Sequence, residues 1–429
     1  MYYERDDLLG KGRGVQRESP SIEYKERVSS SFLKTVSAYA NYGTGRIIFG
    51  VTDAGEVRGL GDPVAECLHI ENMVNDCLDP LPRYRLEPMP NGTVELTVYE
   101  GAQKPYLAKG KAYRRGDSAT IPVDRLEYGR LVLAGSNLSF DQIASSRQDL
   151  SFSMLEGRLR SQLEIEGIGL DVLKTLGLFS SADGYTNAAA LLADENQFRG
   201  TDIMRFGESV NQMMGRRSLA GVSILSQLDG VLDQYEQHYV YETVEGAERR
   251  RVERLPREAL REAMANALIH RAWDIEANIA VSLWPDRIEI VSPGSLPRGI
   301  SEAEYLDGFA SVPRNPVIAN VFFRLRYIEK FGTGIARIRE AYAGEMRQPE
   351  FSVYPESIRV VLPVSDGLTV TADERAILKV LARGLYSRSE LEMATGFGRE
   401  KTIRVLNRLV AAGLVRKRGR ARATRYERP

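Results

Sequence analysis

Apolar and polar positions alternate in distinct rhythms along the 429 residues and divide them into four stretches. After a polar lead-in over residues 1–17, Ser21–Glu26 (SIEYKE) alternates as a half-exposed strand does, and Ser29–Ala40 places Phe32, Leu33, Val36 and Tyr39 on one helical face. Tyr42–Gly45 reads as a turn into Arg46–Val51, an unbroken apolar run of the buried-strand kind. Asp53–Glu56 then predicts a hairpin into Val57–Leu60. A helix over Val64–Leu78 and strands over Arg83–Glu87, Thr93–Tyr99 and Ala112–Val123 complete an α+β unit assigned to residues 1–135.

Residues 136–220 form a connecting region, with helices over Phe152–Leu163 and Gly169–Leu176, an apolar segment at Thr186–Leu192, and strands over Met204–Glu208 and Gln212–Leu219. Residues 221–365 read as an α/β sandwich. Helices are expected over Gly221–Tyr235 and, after Pro256, over Arg257–Arg271. Strands follow over Ile279–Trp284 and Arg287–Val291, helices over Asn315–Leu325 and Glu329–Tyr342, and a closing hairpin over Phe351–Tyr354 and Ser357–Pro363. Residues 366–429 run helix, short helix, turn, helix and basic hairpin, the order of a winged helix-turn-helix. The fold class expected is α+β and multidomain.

Composition narrows the chemistry. With 43% hydrophobic and 27% charged residues the chain is ordinary for a globular protein. Two cysteines, Cys67 and Cys77, exclude a disulfide framework and a four-cysteine zinc site, and three dispersed histidines argue against a histidine-rich metal centre. A carboxylate metal site stays open. The first residues hold no apolar signal core and no later run approaches a membrane span, so a cytoplasmic location is expected.

Glu18, Glu23 and Asp53 flank the first predicted strand and the apolar run that follows it. Converging, they could hold Mg²⁺ or Mn²⁺ against a phosphodiester; equally, Glu23 could pair with Lys25 or Arg27 and Asp53 could simply form the turn. The segment EYK at 23–25, AYANYGTG at 38–45 and IIFGVTDAGEVRGL at 47–60 resembles the Schlafen-type AlbA-like family. Animal members of that family cleave structured RNA with two glutamates five residues apart and a downstream aspartate. The resemblance therefore implies catalytic and metal-binding roles for Glu18, Glu23 and Asp53 if the chain is a nuclease. Bacterial members are described as DNA-binding domains. Lys104, Lys109, Lys111, Arg114 and Arg115 around Tyr106 and Tyr113 read either as a polyanion surface or as a solvated charged edge.

Within Arg257–Arg271, Glu262, Asn266 and His270 recur every four residues and share one stripe. A Glu–Asn pair one turn apart can serve Mg-ATP, the amide oxygen ligating the cation and the carboxylate activating water; a solvated polar face has the same spacing. Gly332-Thr333-Gly334 opens a helix downstream, where backbone N–H groups can cradle phosphate. The order resembles the gyrase, histidine kinase and MutL superfamily of ATPases. That resemblance implies ATP and Mg²⁺ as cofactors, Glu262 as the catalytic base of an ATPase, Asn266 as the Mg²⁺ ligand, and Gly332, Thr333 and Gly334 as nucleotide-binding residues. Where the superfamily places an adenine-reading aspartate, this chain has Ser292-Pro293-Gly294-Ser295-Leu296.

The last predicted helix is expected to bury Ile403, Leu406, Leu409 and Val410 and to expose Arg399, Lys401, Thr402, Arg404 and Arg408. Beyond it, residues 414–429 hold seven Lys or Arg against one Glu, among them Arg416, Lys417, Arg418, Arg420 and Arg422, in a chain whose 58 basic and 58 acidic residues cancel. Such local concentration is what a polyanion contact requires. The combined expectation is a DNA-binding protein linked to a nucleotide, a transcriptional regulator acting as a homodimer or higher homo-oligomer. The alternative is a divalent-metal nuclease acting on RNA or DNA.

Overall fold

A computed structural model describes residues 19–116, 119–163, 167–245, 248–297, 299–308, 312–329, 332–343, 345, 347–365, 371–419 and 424–428. The chain forms two compact units, Met1–Ser139 and Phe140–Pro429. Among the described residues no helix is long and apolar enough to cross a membrane.

In the first unit, the strand Ile22–Lys25 runs parallel to Gly45–Phe49, which pairs antiparallel with Val94–Val98 and through it with Tyr84–Pro88. The helix Phe32–Tyr42 presses Phe32, Leu33 and Val36 onto Ile47, Phe49 and Leu96, as its helical spacing requires. The helix Pro63–Cys77 starts where the Asp62 carboxylate accepts from the Val64 and Ala65 amides, with Pro63 at the first turn, where a missing N–H costs nothing. The hairpin expected at Val57–Leu60 reduces to one bridge between Val51 and Val57. Gly50 and Gly59, both at positive φ, bring their backbones together there, and a Cβ on Gly50 would lie 3.0 Å from the Gly59 carbonyl carbon. The strand expected at Ala112–Val123 is two short ones, Tyr113–Arg115 and Thr120–Pro122.

The second unit is built on a six-stranded sheet. Its order is Met213–Ser218, Thr201–Phe206, Ile279–Leu283, Arg287–Pro293, Ser357–Pro363, Glu350–Tyr354, and only the second and third of these are parallel. The two strands expected in the connecting region thus extend the same sheet as the strands beyond residue 221. The helices Ile224–Tyr239 and Arg257–His270 share one core with the sheet residues Ile279, Val281, Ile288 and Ile290 and with Leu155, Leu159 and Leu191 from the preceding segment. The helix expected from Glu329 begins only at Gly334 and runs to Ala341.

Residues 371–419 and 424–428 fold around a separate core of Ile377, Leu378, Leu381, Leu391, Val405, Leu406, Leu409 and Val415. Three helices, Ala372–Leu381, Arg388–Thr395 and Arg399–Ala411, pack with an antiparallel sheet ordered Tyr386–Ser387, Arg425–Glu427, Arg416–Arg418. Capping boxes at Thr371/Glu374 and Ser387/Glu390 fix the first two helix starts.

Candidate nucleotide cleft and nucleic-acid surfaces

The Arg257–His270 helix carries Glu262, Asn266 and His270 along one side because each lies about one turn from the next. Ala259, Ala263, Ala265 and Ala267 keep the helix narrow. Gly334, the first residue of the helix Gly334–Ala341, lies directly against this stripe. A Cβ there would overlap the Asn266 amide and stand 2.8 Å from Glu262 Oε1. Sequence reasoning placed these two motifs 66 residues apart in one site, and the fold brings them into contact.

Glu262 is buried, not part of a solvated polar face. Its Oε1 accepts from Asn266 Nδ2 at 3.3 Å, while its buried Oε2 has no partner among the described residues. Burial raises the Glu262 carboxyl above the usual carboxylate range, against the opposing pull of Arg337, the Asn266 bond and Arg261. His270 is pulled down to about 4 by burial and the neighbouring Arg314 guanidinium, so its imidazole is neutral near pH 7.

Two adjoining cavities meet at Asn266, His270, Gly332 and Gly334. One, of about 840 Å³, is walled mainly by apolar side chains, among them Ile290, Ile300, Ile335, Ile338, Phe351 and Val360. The other, of about 750 Å³, includes Glu262, Asn320, Glu329 and Thr333. Ser292 lies in the first, but its hydroxyl donates to the Ala267 carbonyl at 2.9 Å and is not free to read a base. The arrangement offers an apolar recess for a ring, a helix N-terminus at Thr333–Gly334 for an anion, and a Glu–Asn pair between them. The orphaned Glu262 oxygen and the amide beside it fit a hydrated divalent cation.

Sequence reasoning missed the residues that hold this helix end. Asn315 Nδ2 donates to the carbonyls of Ile269 (2.6 Å) and Arg271 (2.9 Å), and Arg314 donates to those of His270 and Ser295. These bonds occupy carbonyls that a helix C-terminus leaves open. The signal available was an Arg-Asn pair between Pro313 and Pro316. Arg271 is itself buried, and that desolvation lowers its guanidinium to about 10; it donates to the Arg199 and Ala277 carbonyls and lies over the Trp273 ring at 4.1 Å.

In the first unit, Glu23 is buried and fully engaged. Its carboxylate takes Thr35 Oγ1 at 2.6 Å, Arg115 at 2.5 Å and Lys25 at 2.7 Å. Asp53 is exposed in the Thr52–Glu56 turn. Among the described residues no three His, Cys, Asp or Glu side chains converge to hold a metal ion, and Glu18 lies outside those residues. The expected polyanion surface is also dispersed: Arg115 is spent on Glu23, Lys104 on Glu100, and Tyr106 is buried, leaving Lys109, Lys111 and Arg114 exposed.

In the last helix the expected faces are partly exchanged. Thr402 is buried and bonds the Gly398 carbonyl at 3.1 Å, whereas Ile403 and Val410 are exposed. Residues 402, 405, 406 and 409 are the set whose i, i+3, i+4, i+7 spacing closes one face, so Ile403 and Val410 fall off it. Lys401 pairs with Asp373 at 2.7 Å and Arg408 with Glu374 at 3.2 Å, while Arg399 and Arg404 are exposed. Arg416, Lys417 and Arg418 are exposed on their strand; Arg420 and Arg422 lie outside the described residues.

Residues 18–124 match the family described as Schlafen, AlbA_2, and residues 276–362 match the family described as "Putative ATP-dependent DNA helicase recG C-terminal". Among curated proteins none matches. Among solved structures, the DIP2311 protein from Corynebacterium diphtheriae is 20% identical, with 96% of this chain and 92% of that one covered and a TM-score of 0.48. The N-terminal domain of a RecG-related protein from Nitrosomonas europaea is 28% identical over 25% of this chain and 84% of its own, with a TM-score of 0.18. The chain thus carries a Schlafen AlbA_2 domain at its N-terminal end and a RecG-like C-terminal HATPase domain beyond it, in a mixed α+β multidomain architecture.

Proposed function

We propose that this is a nucleic-acid-associated, ATP-binding protein, and that nucleotide in the cleft controls DNA binding by a C-terminal winged helix, as in a transcriptional regulator. The observation that carries the reading is the direct packing of Gly334 on Glu262 and Asn266 beside an apolar recess. Mg²⁺ and ATP, when bound, supply the cation and the phosphoanhydride. Asn266 then offers its amide oxygen to the cation, the amides of the first turn after Thr333 face phosphate oxygens, and Glu262 orients water with its free oxygen. The base rests on apolar side chains, with Ser292 committed elsewhere, so discrimination between purines is weak. The family descriptions support nucleic-acid association, and the exposed Arg416–Arg418 strand supports a DNA contact by the last domain. The full chain is expected to bind duplex DNA with an affinity that differs between Mg-ATP, Mg-ADP and no nucleotide. Asn266→Ala should abolish that difference while DNA binding persists. Equal affinity under all three conditions removes the proposed control.

A further inference from the structure

The solvent face of the Arg399–Ala411 helix has a composition that phosphate contact alone does not explain. Thr402, Val405, Leu406 and Leu409 face the core, so at 100° per residue the opposite stripe is Glu400, Arg404, Asn407 and Ala411, with Ile403 on its flank. All five are exposed. The cations beside this stripe are tied back: Lys401 to Asp373 and over the Phe397 ring at 4.1 Å, Arg408 to Glu374. By contrast, Glu400, Arg404 and Asn407 make no side-chain hydrogen bond or ion pair with any described residue.

A surface built for the DNA backbone would place cations at its centre. Here the centre holds a carboxylate, an amide and one guanidinium. A carboxylate there repels phosphate and accepts well only from a donor such as the cytosine amino group. Arginine and asparagine are the side chains whose paired donors and acceptors match guanine and adenine edges, and the exposed Ile403 methyls suit a thymine methyl. Steps of three and four residues advance about 4.5–6 Å along a helix, enough to carry successive side chains to neighbouring base pairs.

Resting on the DNA-binding reading above, we infer that Glu400, Arg404 and Asn407 are the base-reading residues of this chain in the major groove of duplex DNA. Arg399, Arg416 and Lys417, which are exposed, serve the phosphates on either side. This moves base reading away from Thr402, which is buried, and adds Glu400 and Asn407, which carry no positive charge, beside Arg404.

The test begins with full-length protein and a randomised duplex pool, from which the preferred site is selected. Affinities for that site and for each single-base variant are then measured for the wild type, Arg404→Lys, Asn407→Ala and Lys417→Ala. Arg404→Lys keeps the charge but loses the planar fork, so it should flatten preference at one base pair by roughly tenfold or more while retaining affinity for unrelated DNA. Asn407→Ala should flatten preference at a neighbouring pair. Lys417→Ala should weaken all sequences alike and leave the preferences intact. The inference is overturned if Arg404→Lys and Asn407→Ala change every sequence equally, or if the wild type binds duplex without selecting a site. Absence of any duplex binding would instead overturn the DNA-binding reading on which it stands, leaving a protein-contact role for the helix.

Discussion

Single residues in this chain are often decided by who reaches them from far away. Glu23 is one of the carboxylates expected from the sequence to hold a metal ion, yet Arg115, 92 residues later, and Thr35 fill its oxygens. Removing it leaves a nearly buried guanidinium without its counter-charge, whose cost is about 3 kcal/mol or more. Glu23→Ala is therefore expected to lower the first unfolding transition of the full chain in a denaturant titration. A Glu23→Gln protein that keeps wild-type stability but loses metal-dependent cleavage of labelled RNA or DNA would make the carboxylate catalytic instead. Glu262 shows the reverse case. Its four-residue spacing from Asn266 was equally that of a solvated face, and only burial by surrounding elements gives it a raised carboxyl and an unpartnered oxygen.

Elements follow their local signals closely where capping and periodicity agree. Asp62-Pro63, Thr371…Glu374 and Ser387…Glu390 each start a helix where the side chain meets the open amides. The segment before Gly334 departs from expectation: the chain turns at Gly332, φ 64°, and the helix begins only at Gly334, which lies against Asn266. That close approach is testable. Gly334→Ala pushes a methyl into the Asn266 amide, an overpacking cost of about 1–3 kcal/mol that falls on the cleft. ATP affinity, measured by titration, is expected to fall roughly tenfold or more, with the rest of the second unit unfolding as before. The Arg399–Ala411 helix teaches a related point: with apolar residues at 403, 405–406 and 409–410, more than one stripe can be drawn. Contact with Ile377, Leu381 and Leu391 selects 402, 405, 406 and 409.

At the scale of the molecule, a regulator of the kind proposed needs two DNA-contacting domains to span paired half-sites. The full chain is expected to show a dimeric mass by light scattering, larger or tighter in Mg-ATP than without nucleotide. A monomer under both conditions would confine the nucleotide effect to one chain. Much of this organisation is legible in the sequence: the glycine-rich 42–60 segment, the Glu–Asn helix, the Gly332–Gly334 turn and the three closing helices all lie where their patterns place them. Each is a local signal, set by backbone freedom, helical period or capping within a few residues. Tertiary structure alone decided the membership of the 201–218 strands in the six-stranded sheet, the capture of Glu23 by Arg115, and the anchoring of the Arg257–His270 helix end by Arg314 and Asn315. It also decided which face of the last helix meets solvent. Those outcomes depend on pairings between residues tens of positions apart, and the energy of such a pairing exists only once the chain has closed the loop between its partners.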